Sequence, residues 1–165
     1  MCLSEASGVV TFHQNLTHSG YSSLLGGSGK PGDNIKIIEV PCDRLDRVLP
    51  PDHRVDFIKM DVEGAELRVF AGAVDTLRRW RPIVLFECTL TGMSNYGFDA
   101  EQVWRQITSI DTYSIFLVKD FLAGGQPLTL HAFEVAMRYP FQAFDFVAAP
   151  HDGAKSLLTQ CPRSS

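Results

Sequence analysis

No apolar run in these 165 residues approaches the roughly 20 needed to cross a bilayer, so no membrane span is expected. Nor is there a basic surplus. Lys and Arg number 15 against 19 Asp and Glu, a net charge of −4, which argues against a broad nucleic-acid-binding face. Cysteines are few and scattered, at 2, 42, 88 and 161. None lie two to four residues apart, so zinc-knuckle spacing is missing and free thiols are expected. His13, His18, His53, His131 and His151 form no HExxH pattern. The first residues, Met1 to Glu5, contain no basic segment leading into an apolar stretch, so no secretory signal is expected and the chain reads as cytoplasmic. Without export, the sequon Asn15-Leu16-Thr17 is a chance match.

What remains is ordinary for a soluble domain. The chain is 45% hydrophobic and 21% charged, enough to build one core. Two β-branched runs, Val9–His13 and Ile35–Val40, predict an antiparallel hairpin with a long mobile Gly/Ser-rich connection. Within that connection Gly26–Pro31 has a superficial likeness to a phosphate loop. Leu24 stands where the first glycine belongs, and Pro31 replaces the magnesium-binding Ser/Thr, so a plain loop is expected.

The middle of the chain predicts strand, helix, strand. Val55–Met60 suits a strand buried in a parallel sheet. Leu67, Phe70, Val74 and Leu77 then form one helical stripe, with acids at its start, Arg78, Arg79 and Arg81 at its end, and Pro82 closing it. Pro82–Glu87 is the next strand, and such a βαβ crossover should be parallel and right-handed. Residues 89–98 read as a loop, and Asp99 with Gln102 as a capping box before a helix carrying Val103, Trp104, Ile107 and Ile110. Tyr113–Val118 and Phe144–Ala149 read as strands, and 121–144 is ambiguous. The expected fold is α/β, mostly parallel between 55 and 118, in one domain: residues 1–54 hairpin and loop, 55–150 βαβ core.

Ligands of open parallel sheets bind beyond the carboxyl ends of the strands. Two strands here end in acids, Asp61 with Glu63 and then Glu87. Carboxylates so placed could accept a proton from a hydroxyl, coordinate a cation or bind sugar-like hydroxyls. Asp61, Glu63 and Glu66 could equally satisfy the free N–H groups at the helix start. No helix begins directly after Glu87, which weakens that explanation there. A metal-dependent hydrolase using Asp61, Glu63 and Glu87 is a rival, with an all-oxygen ligand set suited to magnesium or calcium.

The run Val55–Glu66, the helix containing Ala71-Gly72-Ala73 and the strand Pro82–Glu87 together resemble the signature of FkbM-type methyltransferases. Weaker likenesses are Cys2–Glu5, Gly20–Leu24, Pro41–Leu45 and Phe146–Pro150. The resemblance implies a Rossmann-like methyltransferase sheet with an added β-hairpin, S-adenosylmethionine as cofactor, and a hydroxyl of a sugar or other small molecule as acceptor. It places Ser4 and Glu5 beside the adenine and Asp61 beneath the methionine end of the cofactor. Glu63 and Glu87 would line the acceptor side, and Asp61 would act as base or orient the acceptor hydroxyl. No metal is implied. The family's Asp-x-Gly-x-Asn-x-Gly cofactor loop is not found in this sequence, so the chain resembles the C-terminal two-thirds of the family, without its first two strands. From this, weak cofactor binding by the chain alone is expected, together with an exposed strand edge able to support homo-oligomers. The alternative is an inactive truncated domain serving as an interaction or oligomerising module. Loops 15–34 and 89–98 are expected to shape the acceptor pocket.

Overall fold

The computed structural model of the chain describes residues 1–26 and 29–151. The two early β-branched runs pair as expected. Strand β2 (Gly8–Asn15) lies antiparallel to β3 (Ile35–Asp43), with Val10 opposite Val40. A short strand, β1 (Cys2–Leu3), adds to the other edge of β3 in parallel, so the first sheet runs β1-β3-β2. The connection after β2 is held in several places. A 3-10 turn forms at Ser19–Tyr21, and His13 bridges to Ser23. Asn15 is 1% exposed; its carbonyl oxygen accepts from the Thr17 and His18 N–H groups and its amide donates to Asp33 at 2.6 Å. An amide so buried and bonded is in no position to be glycosylated. Part of the Gly26–Pro31 loop (27 and 28) and Cys161 lie outside the described residues.

Helix α1 (Leu45–Val48) leads to β4 (Phe57–Met60), α2 (Glu66–Ala71), α3 (Val74–Trp80) and β5 (Ile83–Glu87). The single helix expected between the strands is thus two. The break comes at Gly72, the C-cap of α2, where a Cβ would sit 2.0 Å from the Ser4 carbonyl oxygen, so only glycine lets that backbone approach so closely. Asp46 caps the second piece from afar. Its carboxylate accepts from the N–H groups of Asp75 (3.2 Å) and Thr76 (2.8 Å) at the start of α3.

Beyond β5 the expected loop contains a helix, α4 (Leu90–Asn95), capped by Thr89 accepting from Gly92 N–H and anchored by buried Met93. Then follow α5 (Ala100–Thr108), β6 (Tyr113–Leu117), α6 (Val118–Leu122), α7 (Leu130–Ala136) and β7 (Asp145–Pro150). The Asp99/Gln102 capping box is present, and Val103, Ile107 and Ile110 are fully buried.

The second sheet runs β4-β5-β7-β6. The expectation of a mostly parallel fold is corrected here. Strands β4 and β5 are parallel, but β7 inserts antiparallel to both β5 and β6, and both sheets are mixed. The reason is the connection at 118–144. It returns the chain to the end of the sheet where β6 stopped, Leu117 pairing with Phe146, instead of crossing over. Strand β4 is also not buried on both faces. It is an edge strand of the described residues, with Phe57 57% exposed. The core fills the space between sheet and helices, where Phe70, Phe86, Phe133 and Phe146 meet largely edge to face. No helix among the described residues is long and apolar enough to cross a membrane.

Candidate active site

Because β4 and β5 are parallel with Met60 beside Phe86, the residues that follow them emerge at one end of the sheet. Asp61 and Glu63 leave β4 there, Glu87 ends β5, and the antiparallel β7 begins at the same place with Asp145 opposite Glu87. Among the described residues, Lys59 Nζ lies 3.6 Å from Asp61 and 3.9 Å from Asp145. Burial, then the charges of Asp61, Glu63 and Asp145, push the Glu87 carboxyl above its ordinary range, partly offset by Lys59. Burial and Asp61 do the same to Glu63.

The turn carrying these acids is unusually constrained. Glu63 has a left-handed backbone, φ 53°, uncommon for a residue with a side chain. Gly64 follows at φ 102°, and a Cβ there would lie 2.2 Å from the Gly92 carbonyl oxygen. The β4–α2 turn and α4 therefore touch backbone to backbone. Neither Asp61 nor Glu63 caps α2, whose N-cap is Ala65 without a side-chain hydrogen bond. Glu66, which the sequence offered as a capping acid, turns inward instead. It is 1% exposed, one oxygen accepting from Gly64 N–H at 3.0 Å and the other, Oε2, buried without a hydrogen-bond partner. Burial raises its pKa, opposed by the Gly64 N–H and reinforced by Glu63 and Glu87.

Two cavities meet at this turn. The larger, about 640 Å3, runs beside β4 between the two sheets and is mainly apolar, with Leu24, Leu45 and Val69 in its walls and Asp61 and Glu63 on its rim. Its size suits a cofactor. The smaller, about 250 Å3, lies between residues 20–25 and α4, within the two loops expected to shape the acceptor pocket. Glu63 lines both.

Not every expected residue gathers there. Ser4 is buried and donates to Glu5 at 2.5 Å, and Glu5 lies 3.9 Å from Arg68, yet neither lines the large cavity. Although partial burial pushes Glu5 up, Ser4 and Arg68 hold it below the usual carboxylate range. Glu87 stands with the other acids but lines neither cavity. Sequence reasoning missed Thr89, Thr91, Asn95 and Tyr96 in the smaller cavity, because 89–98 looked like a structureless loop. The only signal was Thr89 three residues before Gly92, a short cap with one apolar anchor. Among the described residues no group of three His, Cys, Asp or Glu side chains is arranged to hold a metal ion.

A family model described as the methyltransferase FkbM domain matches residues 4–113, well over half of the chain. No curated protein and no solved structure matches it.

Proposed function

The chain belongs to the FkbM methyltransferase family, and we propose that it transfers the methyl group of S-adenosylmethionine to a hydroxyl of a sugar or other small molecule. The parallel β4–α2–α3–β5 unit supports a Rossmann-like reading of the larger sheet. The observation that carries the reading is the meeting of Asp61 and Glu63 on the rim where the large apolar cavity adjoins the smaller polar one.

The cofactor supplies an electrophilic methyl on a positively charged sulfur, and the acceptor oxygen must approach it in line and partly deprotonated. In this reading Asp61 accepts a hydrogen bond from the acceptor hydroxyl and draws its proton. Glu63 and Glu87 keep the rim negative, which favours a cation at the end of the large cavity. Val69, Leu24 and Leu45 keep water from the reacting end.

The test is transfer of a labelled methyl group to a panel of sugars and hydroxylated small molecules, using the protein expressed from its complete reading frame. Asp61→Asn should lower kcat by about 10²–10⁴, the range for loss of a general base. Wild-type levels of transfer by that variant would remove Asp61 from the chemistry. No transfer above background to any acceptor would refute the activity.

A further inference from the structure

Cysteines that are scattered in the sequence meet in the first sheet. Cys2 and Cys42 are direct partners in the register of β1 and β3. Those strands run parallel, so the paired side chains leave the same face of the sheet. Phe12, opposite Ile38, lies on that face too, and both Phe12 and Cys2 line the large cavity. The two thiols are reduced and share a hydrogen bond. Cys42 is 5% exposed, whereas Cys2 is half-buried in the cavity wall.

A single buried cysteine behaves as a small hydrophobe and calls for nothing more. A pair in register is different. Neighbouring strands lie about 4.8 Å apart, inside the range of about 4.4–6.8 Å between Cα atoms that a disulfide spans. Turning the two side chains toward each other is enough, and the backbone need not move. The separation is below the commonest value of about 5.5–6 Å, which leaves such a bond open to reduction. Cys88, 1% exposed just beyond β5, is shut away from reagents.

We infer that Cys2 and Cys42 form a reversible oxidation site, closed by small-molecule disulfides and reopened by small thiols. Cys2, the more accessible, reacts first. Its thiolate attacks a reagent RSSR, the reagent's S–S bond breaks, a Cys2–S–S–R bond forms and RS⁻ leaves. The Cys42 thiolate then attacks the Cys2 sulfur, forming the protein disulfide and releasing the second RS⁻. Each RS⁻ takes up one of the two protons given up by the protein thiols. Two protein thiols are thus oxidised, and one reagent disulfide is reduced to two thiols. Burial, then the hydrogen bond with Cys42, push the Cys2 thiol up to about 11, so thiolate is scarce and closure slow near neutrality.

The cross-link reaches beyond its own sulfurs. Strand β1 continues into Ser4, whose N–H donates to the Asp43 carbonyl at 3.0 Å and whose own carbonyl lies against Gly72, between α2 and α3. Closing the bond ties that joint to the first sheet and fixes one wall of the large cavity. The modification is independent of the reaction carried out there.

The test is incubation of the reduced protein with oxidised glutathione at pH 7 and pH 9, followed by alkylation and peptide mass spectrometry. The major product should be the Cys2–Cys42 peptide, forming about tenfold faster per pH unit, as the thiolate fraction grows below about 11. The oxidised protein should melt about 4–16 °C higher than the reduced one, the gain from closing a loop of about 40 residues. The Ser4 N–H should exchange about tenfold more slowly, and dithiothreitol should reverse both changes. Cys2→Ser should abolish the redox difference in melting. The inference is overturned if the major product joins another pair of cysteines or two chains, or if no Cys2–Cys42 peptide forms at pH 9. A redox difference in melting that persists in Cys2→Ser would overturn it too. Should that variant fail to fold, the peptide map and the Ser4 exchange of the wild-type protein decide alone.

Discussion

Gly64→Ala is expected to be far more damaging than its single methyl group suggests. The glycine sits at φ 102°, where an L residue pays about 1–3 kcal/mol in backbone strain. Its new Cβ would also meet the Gly92 carbonyl at 2.2 Å (oxygen) and 2.4 Å (carbon). Both contacts are backbone, so no side chain can rotate away, and overpacking of this kind costs about 1–3 kcal/mol more. Together the two effects reach about 2–6 kcal/mol, against a total stability of about 5–15 kcal/mol for a typical domain. Gly97→Ala supplies the control. Gly97 has φ 76° but nothing within 4 Å of the added Cβ, so it meets the conformational cost alone, about 1–3 kcal/mol. Urea unfolding of both variants, read by circular dichroism near neutral pH, separates the terms. If Gly64→Ala unfolds within about 1 kcal/mol of Gly97→Ala, the close packing of the acid-bearing turn on α4 is wrong.

Two further outcomes follow from the same physics. The folded-state pKa of Glu66 is raised above its ordinary 4.5, so the folded protein binds this proton more tightly than the unfolded chain. Stability should therefore fall as pH rises upward from about 4.5, as Glu66 is forced to ionise in place. Glu63 and Glu87, shifted the same way, add to the slope. Glu66→Gln, which can still accept from Gly64, should flatten that decline in a series of thermal melts, and an unchanged slope would show that the Glu66 pKa does not differ between the folded and unfolded chain. Asp46→Ala should lose about 1–2 kcal/mol by uncapping α3, with Asp46→Asn retaining most of it in urea titration. Equal losses in both variants would mean that the ion pair with Arg44, and not the cap, is what counts.

Signals carried by neighbouring residues were readable in the sequence. The β2–β3 hairpin, the capping box of α5 and the parallel β4–β5 pair all come from runs with their own periodicity. The convergence of Asp61 with Glu87 was readable for the same reason, since parallel strands that end in acids must deliver them to one side. Features set by distant contacts were not. The close approach of the Ser4 carbonyl to Gly72 is one, because nothing next to the glycine in sequence encodes it. The reversed direction of β7 depends on where 118–144 returns the chain, which no local pattern encodes. Glu66 looked like a cap because charge order near a helix start says nothing about which way a side chain turns. The smaller cavity needed both of its walls, the 20–25 turn and α4, to be brought together before it could be recognised.

The reversed final strand has an evolutionary corollary. Since β7 enters the sheet where β4 and β5 leave it, the stretch just before it, with exposed Tyr139, Phe141 and Phe144, borders the acids from the opposite bank. That stretch contributes little to the central cluster, where Met137 and Phe146 are the buried neighbours on either side. Lengthening or recolouring it would redraw the approach to the rim while leaving the phenylalanine interior intact. Descendants of this chain thus have a place to try new customers without rebuilding the house.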